Sequence, residues 1–157
     1  MACLHREAKQ DWPNVWRPGV IPSTLDAVLD AFGHGSAQRE RLARKLRNLD
    51  GALRDAGVPV RLWLAGSFLT AKPDPGDLDG VLWPAGHLFC AADVERAARF
   101  FSVKYLHEVF KLDAKIESVT PDELFHREAQ HLGFFGFGWD RRTPRTIAEV
   151  RMGATSA

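Results

Sequence analysis

The apolar positions of this chain change period several times, and each change marks an element. Leu25, Val28, Leu29 and Phe32 recur at helical spacing, with Ser23 as the predicted N-cap, Asp26 in the first turn and Gly33 as the stop. Ser36 starts a second predicted helix that reaches Ala56, with Gly57 at its end; Leu42, Leu46, Leu49 and Leu53 form its buried stripe. Val60 to Ala65 is a continuous β-prone run that breaks off at Gly66-Ser67. A turn-rich segment with Lys72, Pro73, Pro75 and Gly76 follows, and Asp77-Leu78-Asp79 opens a second such run through Val81, Leu82 and Trp83. A turn is predicted at residues 84–86. Asp93 then begins a helix with Val94, Ala97, Ala98 and Phe101 on one face, and helical character continues, with a break, to Phe110. From Leu112 to Glu117 the chain alternates: Leu112, Ala114 and Ile116 face one way, Asp113, Lys115 and Glu117 the other. Thr120-Pro121-Asp122-Glu123 reads as a helix start with a capping box; Leu124, Phe125, Ala129 and Leu132 follow, and Gly133 is the expected end. The aromatic run Phe134 to Trp139 and a polar turn, Asp140 to Pro144, lead to a last alternating strand over Thr146 to Met152.

Four strands with helices among them predict an α+β fold, a small mixed β-sheet with helices packed on it. The connection between the first two strands is short for a parallel crossover, so that pair is expected to be antiparallel. Residues 1–18 show no period and are read as an N-terminal arm, with Trp12 and Trp16 as its anchors and Arg17 to Pro22 as a rigid, extended approach. Residues 19–157 are then a single domain.

Composition narrows the function without naming it. The formal net charge is +1, so there is no global electrostatic drive toward nucleic acid or an anionic membrane. Cys3 and Cys90 make no metal or redox motif, and no run approaches membrane-spanning or signal-peptide length. The expectation is a soluble, cytoplasmic protein.

The candidate chemistry lies between Gly66 and Asp79. Alternate strand residues share a face, so Asp77 and Asp79 are expected to project together, and paired carboxylates repel unless a cation lies between them. Gly66 permits close approach of backbone to a phosphate, and Ser67 adds a hydroxyl at the same corner. A phosphate cradle beside a carboxylate pair is what magnesium-nucleotide chemistry requires.

Gly66-Ser67, the intervening residues 68–76 and Asp77-Leu78-Asp79 resemble the signature of the nucleotidyltransferase superfamily related to DNA polymerase β. The longer string from Gly66 to Asp79 resembles a narrower group of short bacterial nucleotidyltransferase-like proteins. The Gly19-Val20-Ile21-Pro22 approach with its helix and Phe32-Gly33 are similar to that group too. So is the closing aromatic run, turn and strand, except that a lysine more usually stands where this chain has Arg145. The resemblance implies transfer of a nucleoside monophosphate from a nucleoside triphosphate, ATP among the candidates, to an acceptor hydroxyl. Asp77 and Asp79 would hold Mg²⁺, and Asp113, with Glu117 in reserve, would be the third carboxylate of a two-ion site. Gly66 and Ser67 would grip the terminal phosphates, and Lys72 is a candidate point charge for them, against the plain reading of a solvated loop lysine. The acceptor would be a protein or RNA, and the setting a toxin–antitoxin or defence module.

Other readings stand beside this one. Gly80, where the superfamily prefers an apolar side chain, weakens its strand and favours a catalytically idle binding module, an antitoxin or assembly subunit. Arg39, Arg41, Arg44, Lys45, Arg47 and Arg54 make the second helix basic, which is either a solvated face or a landing surface for an acidic partner or RNA. The aromatics from Phe134 to Trp139 are either packing or, with nearby arginines, stacking platforms for a base. His126 and His131 lack the one-turn spacing of a zinc helix and read as surface or supporting residues.

Overall fold

The run Val60–Ala65 becomes the central strand of a five-stranded sheet, and both neighbours lie antiparallel to it. A computed structural model describes residues 10–84, 95, 97–118 and 120–153. The strands are β1 (Gly19–Ser23), β2 (Val60–Ala65), β3 (Leu78–Pro84), β4 (Leu112–Ile116) and β5 (Thr146–Met152), in the order β1-β5-β2-β3-β4. The outer pairs, β1 with β5 and β3 with β4, are parallel, so the sheet is mixed. Four helices accompany it among the described residues: α1 (Leu25–Phe32), α2 (Ala37–Ala56), α3 (Val103–Phe110) and α4 (Pro121–Phe135). This is the α+β class that the alternating periods predict.

One face of the sheet is a leucine-rich core. Leu62 and Leu64 of β2, Leu78 and Leu82 of β3, Leu112 of β4 and Val150 of β5 pack there against α1, α2 and α3. Leu42, Leu46, Leu49 and Leu53 of α2 are completely buried. Each contributes about 1.5–3 kcal/mol on burial, against about 1 kcal/mol lost to Gly51 in the same helix. The helix therefore runs unbroken through the glycine to its left-handed cap at Gly57.

The opposite face carries a smaller cluster of Trp63, Ala65, Val81, Trp83 and Ile147, with Val20 of β1 and Leu124 and Phe135 of α4 against it. Here α4 is held by polar contacts as well: Glu128 meets Arg61 at 2.6 Å and His131 meets Glu117 at 2.7 Å. The residues of α4 that reach the sheet are thus Leu124, Glu128, His131 and Phe135, whereas Phe125 and Leu132 point to solvent. The helix also continues past Gly133 to a cap at Gly136.

Several boundaries differ from the sequence reading for local reasons. Residues 19–23, expected only as an extended approach, pair with β5 as a full edge strand. Thr24, not Ser23, caps α1; its hydroxyl accepts from the N–H of Ala27, while Ser23 Oγ donates to its own strand at Ile21. The helical stretch before Phe110 is a 3-10 turn, Ala98–Phe101, followed by a fresh start at Ser102. The turn expected at 84–86 and the helix start at Asp93 fall outside the described residues. None of the described helices is long and apolar enough to cross a membrane.

The described part of the arm is stitched down mainly by its backbone. The Ala71 N–H donates to Pro13 O, Asn14 bridges to Thr70, and the Thr146 hydroxyl donates to Trp16 O and Arg17 O. Trp16 packs edge-on against Phe32, and Arg145 donates to Trp12 O and pairs with Asp11 at 2.9 Å. Asp11 also accepts from the N–H groups of Trp139 and Asp140. Burial opposes its charge, but these donors and Arg145 together hold its carboxyl below the ordinary range.

Candidate active site

Two strand registers bring three carboxylates together. The parallel ladder between β3 and β4 sets Leu78 opposite Leu112 and Asp79 opposite Asp113. It is extended by a hydrogen bond from the Leu78 N–H to Lys111 O. Because strand side chains alternate, Asp79 and Asp113 project to one face while their leucine neighbours enter the core. Asp77, the residue immediately before β3, stands two positions from Asp79 and reaches the same place. One oxygen from each of Asp77, Asp79 and Asp113 falls within 4.8 Å of the others. Asp77 and Asp79 are half-buried, and Asp113 is exposed.

Glu117, the reserve candidate, is committed elsewhere. Its carboxylate pairs with His131 at 2.7 Å and lies 4.0 Å from Arg127. Position along β4 therefore separates the two acids: Asp113 sits at the Asp79 end, Glu117 beneath α4.

The Gly66-Ser67 corner touches this cluster directly. β2 pairs Ala65 with Asp79, and the next residue, Gly66, has φ 77°. A Cβ on Gly66 would stand 2.3 Å from Asp79 Oδ2, so only glycine fits. Ser67 opens a 3-10 turn, Ser67–Leu69, whose first N–H groups have no partner within the turn. Lys72 lies farther along the loop; its carbonyl points inward to Arg39, and it lines a cleft of about 250 Å³ with Val15, His34 and Thr70. The Lys72 ammonium makes no ion pair among the described residues.

The donor set tests what the cluster suits. Among the described residues the set is three carboxylates, hard oxygen donors that suit Mg²⁺. Carboxylate oxygens gathered this closely repel one another, and a cation among them offsets that repulsion. Asp77, Asp79 and Asp113 thus fit Mg²⁺.

Gly80, which sequence reasoning took as a weakness, has a packing reason. A Cβ there would stand 2.3 Å from the carbonyl oxygen of Trp63 on β2. Glycine is what lets β3 approach β2 while the carboxylates stay in register.

Sequence reasoning missed Arg39. It was grouped with the basic face of α2, yet it is 6 % exposed and its side chain runs inward. Its position was legible: Arg39 precedes Leu42 by three residues and Leu46 by seven, on the buried stripe. Of the aromatic stretch, Phe135 packs against the sheet, while Phe134 and Phe137 are largely exposed and Arg141 lies 4.9 Å over the Phe134 ring.

Among known proteins, a family model described as a family of unknown function (DUF6932) matches residues 9–151. No curated protein and no solved structure matches the chain.

Proposed function

The chain belongs to DUF6932, a family of unknown function, and from its site we propose that it is a Mg²⁺-dependent nucleotidyltransferase. The observation that carries this reading is the meeting of Asp77, Asp79 and Asp113 within 4.8 Å, beside a glycine-serine corner that abuts Asp79. The substrate would be a nucleoside triphosphate, and the acceptor a hydroxyl on a protein or RNA. An oxygen–phosphorus bond forms between that hydroxyl and the α-phosphorus. The bond to the bridging oxygen breaks, pyrophosphate leaves, and the hydroxyl proton passes to solvent or a base. Bound Mg²⁺ supplies charge neutralisation for the triphosphate and acidifies the acceptor hydroxyl.

The protein's own groups have separate tasks. Asp77 and Asp79 would hold the cation from one strand end, and Asp113 would add a third carboxylate from the neighbouring strand. The Ser67 hydroxyl and the backbone at Gly66-Ser67 orient the terminal phosphates. Lys72, in the same loop, is the candidate positive charge for them. The supply of triphosphate makes the cytoplasm the natural compartment, and a toxin–antitoxin or defence module remains the proposed setting. The alternative is a catalytically idle binding module; Gly80, which favoured it, has a packing reason of its own against the Trp63 carbonyl.

The test uses two labels. The purified protein is incubated with each ribonucleoside triphosphate carrying the label at the α- or the γ-phosphorus, with and without Mg²⁺, alone and in cell lysate. Nucleotidyl transfer predicts that α-label, and not γ-label, becomes attached to a macromolecule only when Mg²⁺ is present. Equal retention of both labels would mean simple binding.

A further inference from the structure

The loop between the phosphate corner and the carboxylates is gathered onto one buried side chain. Arg39, in the first turn of α2, spends all five of its N–H groups on main-chain carbonyls. Nη1 donates to Phe32 O at 3.0 Å and Phe68 O at 2.8 Å. Nη2 donates to Thr70 O at 2.7 Å and Lys72 O at 2.6 Å, and Nε donates to Lys72 O at 3.2 Å. The guanidinium also lies over the Phe68 ring, 5.6 Å from its centroid. Its neighbours extend the grip: Ser36 Oγ donates to Pro73 O, and Gln38 Nε2 donates to Pro75 O and Gly76 O. The start of one helix thus holds the loop carbonyls of Phe68, Thr70, Lys72, Pro73, Pro75 and Gly76, between Ser67 and Asp77.

We propose that Arg39 is a positioning residue for the nucleotide site: its guanidinium fixes the loop that sets the separation between Gly66-Ser67 and the Asp77/Asp79/Asp113 cluster. This role rests on the nucleotidyltransferase reading. A buried charge persists only where its hydrogen bonds are complete, and here they are completed by the last residue of α1 and by the backbone of one loop. An aliphatic side chain would leave those carbonyls unsatisfied, and a lysine has three donors and no planar fork with which to reach four oxygens. Asp79 and Asp113 are held in register by β3 and β4, so loss of Arg39 displaces the loop and its phosphate corner and leaves those two carboxylates in place.

The experiment compares the full-length protein with Arg39→Met and Arg39→Lys by amide hydrogen exchange and by α-label transfer. In Arg39→Met, exchange over residues 67–76 rises by about tenfold or more, while α2 beyond Leu42 and the β2–β5 ladder stay within about twofold. In transfer, the KM for the triphosphate rises by about tenfold while the Mg²⁺ concentration at half-maximal rate is unchanged, and Arg39→Lys falls between. Unchanged exchange in the loop would overturn the proposal. So would a uniform rise across the chain, which would make Arg39 an ordinary core residue. A loop that opens in Arg39→Met, in a protein whose wild type transfers no label, would overturn the nucleotide role while leaving the clasp in place.

Discussion

Gly66 and Asp79 are in such close contact that a methyl group on the glycine would stand 2.3 Å from the aspartate's Oδ2. The Gly66-Ser67 corner and the carboxylate cluster are therefore in direct contact, and a side chain added at Gly66 pushes against the acid. Gly66→Ala is expected to destabilise the fold by about 1–3 kcal/mol, since it adds a left-handed alanine to the collision. It should also abolish Mg²⁺-dependent nucleotide transfer under conditions where the protein remains folded. Urea unfolding with a transfer assay on the folded fraction checks both; an active Gly66→Ala protein contradicts the contact.

Gly80 predicts a different outcome, because its neighbour is a carbonyl and not a ligand. Gly80→Ala pushes a Cβ against Trp63 O in the centre of the sheet and should cost about 1–3 kcal/mol. Denaturant midpoints measure it. A neutral substitution would contradict that packing reason and strengthen the idle-module alternative.

On the far face, Arg61 holds α4 through Glu128 at 2.6 Å and holds Glu149 at 3.1 Å, with its guanidinium 5.0 Å from the Trp83 ring. The side chains of Arg61 and Glu128 are 26 % and 30 % exposed, so the pair is partly screened. A double-mutant cycle with Arg61→Met and Glu128→Gln should give a coupling of about 1 kcal/mol, smaller in high salt. A coupling of zero would leave the docking of the helix to the His131–Glu117 contact and to Leu124 and Phe135.

The arm and the turn before β5 predict a pH response. Asp140 accepts from the Thr143 hydroxyl and from the N–H groups of Thr143 and Arg142, which lower its pKa from 3.8 to about 2. Asp11, likewise lowered, ties the same turn to the arm. Both carboxyls are depressed in the folded state, so what they contribute is complete above the ordinary carboxylate pKa. It is lost as pH falls through the folded values. Nuclear magnetic resonance of the Trp139 and Thr143 amides should therefore be flat from pH 8 to 5, with Thr143 shifting on approach to pH 2 and Trp139 below the ordinary carboxylate pKa. A transition near neutrality would contradict this assignment.

What was legible in the chain was local. The runs at β2 and β3, the alternation of β4 and the capping box of α4 declared themselves, because each follows from neighbouring residues. So did the pairing of Asp77 with Asp79, which needs only the two-residue strand period. What stayed hidden depends on partners distant in sequence. β1 was obscured by Pro22, which an edge strand tolerates because one side of its backbone needs no donor. Arg39 looked like its basic neighbours until the loop carbonyls that surround it were in place. The inner face of α4 escaped notice because Glu128 and His131 look solvent-directed until Arg61 and Glu117 are brought beneath them. Asp113 was preferred to Glu117 from its place in a resembling family; the register with Asp79 supplies the geometric reason.

The most direct measurement is Mg²⁺-dependent transfer of an α-labelled nucleoside monophosphate by the wild-type protein and by Asp77→Asn/Asp79→Asn, with circular dichroism on both. The wild type should transfer label in Mg²⁺, and the double variant should fall to background with an unchanged spectrum. A double variant that transfers label as fast as the wild type would remove the carboxylate cluster from the chemistry.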